Sequence, residues 1–325
     1  MADPDVIVVG AGAAGCVVAR RLVDAGLSVV LLEAGPLDPP PAVLGLDLIA
    51  ALDEPGWTWP GSDLRGRGLG GGSAVNGMLL MAGDRSDVRA WGGTGLIEAF
   101  EATVAATPVE TVAHGPLARA FGDAVGPLSG SSSMGFDVDG LLEADLAVAD
   151  GKRATVADLV LLPLDHGLEL RGDVEVTDLV VDRGSGRVGG GTVRGVEVTS
   201  GGRTERLTAR HVVLACGALR SPALTLSAGL GNEAMGVGLK DHPAVAFAGL
   251  LVDPASAPRQ PASVVLRWSS PSRTGTPPTA PSPAAPSPTA PSPTAPSPAA
   301  TSDAVPDLLT VPFESIPGGL GLVLT

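Results

Sequence analysis

Long apolar runs are missing from this sequence, and no stretch is long enough to cross a bilayer as a helix. The opening MADPDVIVVG has neither a basic segment nor the extended apolar core of a secretory signal, so a cytoplasmic protein is expected. Positive charge is scarce: 21 Lys and Arg stand against 35 Asp and Glu, a net charge of −14. Such a chain repels phosphate backbones and anionic headgroups, which argues against nucleic acid or acidic membrane surfaces as partners. Cysteine is nearly absent. Cys16 and Cys216 sit in the apolar contexts AAGCVVA and VVLACGA, which suit inert core thiols and suggest neither a disulfide framework nor a metal site.

What is present is enough apolar residue (44% of 325) to bury a substantial core, in one large or two medium domains. The chain begins with a βαβ pattern. DVIVVG is a β-branched run of the kind buried on both faces of a parallel sheet, AAGCVVARRLVDAG has helical spacing and ends at Gly26, and SVVLLEAG is the next strand. From Asp173 the texture changes to short strands: VEVTDLVVD and TVRGVEVTS flank a glycine-rich turn, and ERLTARHVVLACGA runs back into an apolar strand. In LRSPALTLSAGLG, Ser221 is placed to cap a helix with Pro222 in its first turn and Gly229 near its end. Residues 91–150 carry helical pieces without a motif, and AVAFAGLLV and ASVVLRW read as strands of a second sheet.

A low-complexity tract follows, in which APSPA/T repeats four times from Ala280 to Ala299. Proline at this density forbids helix and ladder pairing, giving a polyproline or disordered spacer, with docking to a proline-binding module as the alternative. PDLLTVPFES and GLGLVLT then read as strands. The last apolar pattern runs to the end of the sequence, so a truncated sheet with an unpaired edge is expected.

GAGAAG at 10–15 is a complete GxGxxG between a strand and a helix. Gly10 permits the tight turn, Gly12 lets backbone approach a pyrophosphate, and Gly15 lets helix and strand pack closely. The amides around Ala13 and Ala14 supply the positive end of the helix. Glu33, followed by Ala34, closes the second strand about 20 residues on, where an acid accepts from an adenosine ribose and disfavours a 2′-phosphate. This unit specifies a dinucleotide but does not separate FAD from NAD.

Arg65 to Met78, RGRGLGGGSAVNGM, holds five glycines and two arginines in its first ten residues. Glycine at this density is explained either by a loose surface loop or by backbone pressed against a ligand. The stretch resembles the first signature of the glucose–methanol–choline (GMC) flavoprotein oxidoreductases, typically RGKxLGGSSxxNGM with an acid and a tryptophan downstream. Arg65, Leu69, Gly70, Gly71, Ser73, Asn76, Gly77, Met78, Asp87 and Trp91 fall in register. GALRSPALTLSAGLG, from Gly217 to Gly231 and just after Cys216, resembles the second signature with its Ser221–Pro222 pair. GLKDHP, with Asp241 and His242, resembles the element that follows it.

The resemblance implies that the glycine backbone lies along the flavin diphosphate and ring, that Asn76 to Leu79 contact the isoalloxazine, and that the backbone at Val176 holds adenine. Some members attach FAD through a histidine at the position of Val75, so FAD is expected to be non-covalent here. Gly72, Ala228 and Gly238 depart from the family pattern by small replacements. The family's catalytic histidine and its His or Asn partner lie near a C-terminus that this sequence does not reach. His114, His166 and His211 read as surface or structural, and His242 as ordering its loop, so no catalytic residue is assigned and no metal is expected. The segment DGKRATVADLVLLP and the short region between signatures are similar to the mycofactocin-associated branch.

The expected fold class is α/β: a Rossmann-like FAD-binding domain with parallel sheet and β-meander, plus an incomplete antiparallel-sheet substrate domain. Residues 1–91 and 151–243 form the cofactor domain and 92–150 an insert or substrate segment. Residues 244–270 and 304–325 form the partial sheet, and 271–303 the linker. The expected activity is oxidation of a small-molecule alcohol with hydride transfer to flavin N5 and an unknown electron acceptor. Two alternatives remain: a non-catalytic flavin-binding fragment needing a partner, and an NAD-dependent dehydrogenase.

Overall fold

Short parallel strands organise the chain. β1 (Val6–Val9) and β2 (Val29–Leu32) are joined by α1 (Ala13–Asp24), with Leu168–Arg171 beside β2 and His211–Leu214 beside β1. Val6 stands opposite both Val29 and His211, and Val29 opposite Leu168. This computed structural model describes residues 3–61, 65–81, 85–90, 95–133, 136, 138–162, 164, 166–183, 191–239, 245–250, 263–268, 308–316 and 319–324. Trp91, Asp241, His242 and the proline tract lie outside them.

Every residue of β1 and β2 is buried, as their apolar composition requires of strands covered on both faces. The pleat divides them. Val6, Val8, Val29 and Leu31 pack with Cys16, Ala19 and Val23 of α1, whereas Ile7, Val9, Val30 and Leu32 pack with Val174, Val176, Leu179, Val196 and Val198. The second group belongs largely to an antiparallel meander of Glu175–Asp182, Thr192–Ser200 and Arg203–Thr208. α1 ends as expected at Gly26. The Gly26 amide donates to the Val23 carbonyl at 2.8 Å and the Leu27 amide to the Leu22 carbonyl at 3.1 Å, the paired bonds of a Schellman cap.

Three local expectations are corrected. The run ERLTARHVVLACGA is two strands, because Arg203–Thr208 continues the meander and His211–Leu214 joins the parallel sheet. Ser221 does not cap its helix, which spans Gly217–Ser227 and starts from Cys216; Ser221 and Pro222 lie inside it. The helix begins directly at the end of the sheet strand, so the Ser-Pro pair comes too late to start it. Finally, the terminal strand Gly319–Leu324 is not an edge. It pairs with Val245–Leu250 on one side and Leu308–Ile316 on the other. Val264–Trp268, Gly140–Glu143 and Leu128–Ser131 complete this sheet of six strands, whose last pair is parallel.

The glycine run clasps the first glycine turn. Gly70 bridges Gly12 in parallel fashion, and its amide donates to the Ala11 carbonyl at 2.9 Å. A Cβ at Gly71, where φ is +53°, would sit 2.7 Å from the Gly12 Cα, and one at Gly66 would sit 2.2 Å from the Gly71 carbonyl oxygen. Backbone lying on backbone is therefore enough to forbid a side chain at these two glycines. Gly72 differs: a Cβ there meets nothing within 4 Å.

Gly71→Ala is expected to destabilise the fold by more than about 2 kcal/mol, combining left-handed strain with collision against Gly12, as measured by denaturant unfolding. A second expectation concerns Cys16, whose thiol is fully buried. Desolvation, with a smaller push from Glu33, raises it from 9.0 to about 12. Between those values the unfolded thiol ionises while the folded one stays protonated. Stability is thus intact below pH 9 and declines toward pH 12, by up to about 1.4 kcal/mol per unit from this group. Unfolding titrations of Cys16→Ala should show a shallower alkaline decline; an identical slope would disprove the assignment.

Candidate functional site

A cavity of about 580 Å3 opens where β1, β2 and His211–Leu214 end, the crevice in which parallel α/β sheets bind ligands. Six segments supply its wall, Trp59 and Pro60 forming one of them. The first turn gives Gly10, Gly12, Ala13 and Ala14, and the end of β2 gives Glu33 and Ala34. The second glycine segment gives Arg65, Gly71, Gly72, Val75 and Asn76; the meander gives Glu175 and Val176; and Cys216 to Arg220 close it. Twelve of the residues named from sequence thus share one space: Gly10, Gly12, Ala13, Ala14, Glu33, Ala34, Arg65, Gly71, Asn76, Val176, Cys216 and Gly217.

The other described candidates lie behind this wall. A Cβ at Gly15 would fall 1.8 Å from the Gly10 carbonyl oxygen, so Gly15 serves the close seat of α1 on its strand. Leu69 is buried beneath α1. Gly70 makes the bridge to Gly12, while the Ser73 hydroxyl donates to the Gly70 carbonyl at 2.7 Å and accepts from the Val156 amide at 3.2 Å. Met78 is buried at φ +61°, its amide bound to Asn76 Oδ1 at 3.0 Å, and Leu79 bridges Leu146. Gly77 lies in the same turn without reaching the cavity. The Ser221 hydroxyl donates to Cys216 Sγ at 3.5 Å.

Glu33 holds the turns together. Its Oε2 accepts from the Ala11 amide at 2.8 Å, and its Oε1 accepts from the Gly35 and Gly68 amides at 3.0 and 2.9 Å. The carboxylate therefore ties three backbone turns while remaining part of the cavity wall. The expected ribose acceptor is also a clamp, and its free acceptor capacity is limited to the remaining lone pairs.

The electrostatics of the wall are cationic in places despite the acidic chain. α1 points its N-terminus at the cavity with no acidic side chain in its first turn and no side-chain cap on Gly12. Arg65 Nε is buried with no hydrogen-bond partner among the described residues. Burial pushes the Cys216 thiol up, opposed by the Ser221 hydroxyl, so it remains a neutral wall group at pH 7.

Sequence reasoning missed several residues. Arg220 lies 3.3 Å from the Trp59 ring centroid and donates to Glu175 at 2.9 Å, and all three line the cavity. Arg153 is buried behind the wall. Its Nε donates to the Val43 carbonyl at 3.1 Å, and one Nη donates to the Asn76 carbonyl at 2.5 Å and Asn76 Oδ1 at 3.1 Å. Desolvation lowers its pKa to about 10. Among the described residues no histidine lines the cavity, no group of metal-binding side chains converges, and no helix is long and apolar enough to cross a membrane.

Known proteins share this arrangement. An uncharacterized GMC-type oxidoreductase of Rhodococcus erythropolis is 33% identical over 268 residues, covering 70% of this chain and 53% of that protein. Pyridoxine 4-oxidase of Microbacterium luteolum is 27% identical over 278 residues, with 72% and 53% covered. The chain thus spans about half the length of these curated relatives. Among solved structures, a formate oxidase of Aspergillus oryzae superposes with a TM-score of 0.72 at 16% identity, covering 99% of this chain and 72% of that one, which establishes the shared fold. The GMC oxidoreductase profile matches residues 4–244, taking in both glycine turns, the meander and the Ser-Pro helix. With those elements assembled around one cavity, the chain belongs to the GMC oxidoreductase family.

Proposed function

We propose that this chain is the cofactor-binding portion of an FAD-dependent oxidoreductase acting on the CH–OH group of an alcohol. The observation that carries this reading is the joint wall formed by the GxGxxG turn and the Arg65–Asn76 segment around a single cavity. Relatives named pyridoxine 4-oxidase, choline dehydrogenase and alcohol dehydrogenase support the alcohol donor.

The residues present fit FAD. The α1 N-terminus and the Arg65 cation on the wall suit a diphosphate, Glu33 with the Val174–Val176 stretch suits the adenosine end, and Gly72 with Asn76 suits the ring end. When bound, flavin supplies a hydride acceptor for the alcohol carbon; the protein binds, orients and shields it. Val75, an aliphatic wall residue at the position where some members carry a histidine, supports dissociable cofactor. An NAD-dependent dehydrogenase would leave Gly72 and Asn76, which the turn places on the cavity wall, without a task. Assignment to the mycofactocin-associated branch rests on DGKRATVADLVLLP.

Protein reconstituted with FAD is expected to show the two visible bands of oxidised flavin, and acid precipitation should release the flavin to the supernatant. Colourless protein that binds NADH would overturn the reading, and pigment in the pellet would overturn the dissociable cofactor. Gly72→Ala, whose Cβ enters open space on the wall, should keep wild-type stability while weakening FAD affinity about tenfold, near 1.4 kcal/mol.

A further inference from the structure

Arg153 is a cation without an anion. It is 3% exposed, no carboxylate pairs with it among the described residues, and one of its Nη atoms is buried without a partner. Burying an unpaired guanidinium is expensive, and an apolar side chain of similar volume would cost the fold less. Its position calls for a use that folding alone does not supply.

That use is visible at Asn76. The Arg153 guanidinium donates to both oxygens of Asn76, backbone and side chain, across 77 positions of sequence. Oδ1 also accepts from the Met78 amide. With two donors on one side-chain atom, that atom must be the oxygen, which fixes the carboxamide's orientation. Asn76 is exposed on the cavity wall, so the Nδ2 group is left as a donor on the cavity side. The same bonds hold Met78 in its left-handed conformation, and the Met78 carbonyl then accepts from the Ala147 amide at 2.9 Å.

We propose that Arg153 is a positioning residue of the cofactor site, locking Asn76 so that its carboxamide presents N–H donors to a hydrogen-bond acceptor edge of the bound cofactor. The cofactor half of this inference rests on the FAD reading; the lock itself does not. Under that reading the acceptor edge is a carbonyl-bearing edge of the ring. The depressed Arg153 pKa fits a buried charge that remains protonated at neutral pH.

Two variants and two readouts test it. Asn76→Asp keeps both accepted bonds and gives Arg153 a carboxylate partner, but replaces the outward donor with an acceptor. It should melt at or above the wild-type temperature while binding FAD about tenfold more weakly. Arg153→Met should speed amide exchange of the 76–80 segment in cofactor-free protein at least about tenfold, leave β1 and α1 protected, and weaken FAD binding. Arg153→Lys should recover part of both. Unchanged exchange at 76–80, or equal acceleration everywhere, would reduce Arg153 to ordinary core packing. Local loosening or Asn76→Asp with undiminished FAD affinity would overturn the link to the cofactor. Wild-type protein that fails to take up FAD would sink the flavin reading, while the exchange measurement would still judge the lock.

Discussion

A single residue, Ala11, joins the two halves of the cradle. The Ala11 amide is held by Glu33 and the Ala11 carbonyl by the Gly70 amide, so the first glycine turn is gripped from both sides. Glu33 adds the Gly35 and Gly68 amides to the same carboxylate. Buried backbone donors must be paired, and a carboxylate with three of them is a strong joint because each bond is charge-assisted. With the turns so joined, Arg65, Gly72 and Asn76 share one wall with the start of α1. The parallel sheet places the first turn; Glu33, at the end of β2, places the second turn relative to it.

This joint explains how an acidic chain forms a cavity suited to a diphosphate. Net charge acts over the whole surface, whereas recognition depends on donors within hydrogen-bond reach. The helix N-terminus faces the cavity locally, Arg65 stands on its wall, and Arg220 is occupied by Trp59 and Glu175. The chain's net charge of −14 is spread over all its residues and leaves this local potential in place.

The first βαβ unit was legible because its determinants are local: apolar runs, helical spacing, and glycine at both ends of one turn. The glycine run was legible as a close approach, but its cause was not. Sequence can show that a Cβ is forbidden at Gly66 and Gly71; only the fold shows that the obstacle is the protein's own backbone. Ser221 misled because Ser-Pro has a strong local meaning that the preceding strand overrides. Arg153, Trp59 and Arg220 carried no readable signal, since their partners lie tens of residues away and depend on how the sheets are stacked. Likewise, the pairing of the last strand on both sides is a long-range fact that no local pattern contains.

The segment after Asn76 separates two tasks. Met78 and Leu80 leave the cradle and bond to residues preceding the Arg153 strand: the Ala147 amide donates to Met78, the Leu80 amide donates to the Asp145 carbonyl at 2.9 Å, and the Ser132 hydroxyl donates to the Leu80 carbonyl at 2.6 Å. Asp145, itself buried, accepts from the hydroxyls of Ser131 and Ser133. Ser131 ends the outermost strand of the six-stranded sheet, so that sheet is fastened to the cradle's exit and not to its phosphate-facing turns. Changes in the second sheet can therefore reshape the space beyond Asn76 without disturbing Glu33 or the paired glycine turns. The bonds that fix the cradle, at Glu33 and the paired glycine turns, are thus distinct from those that fasten the second sheet to its exit.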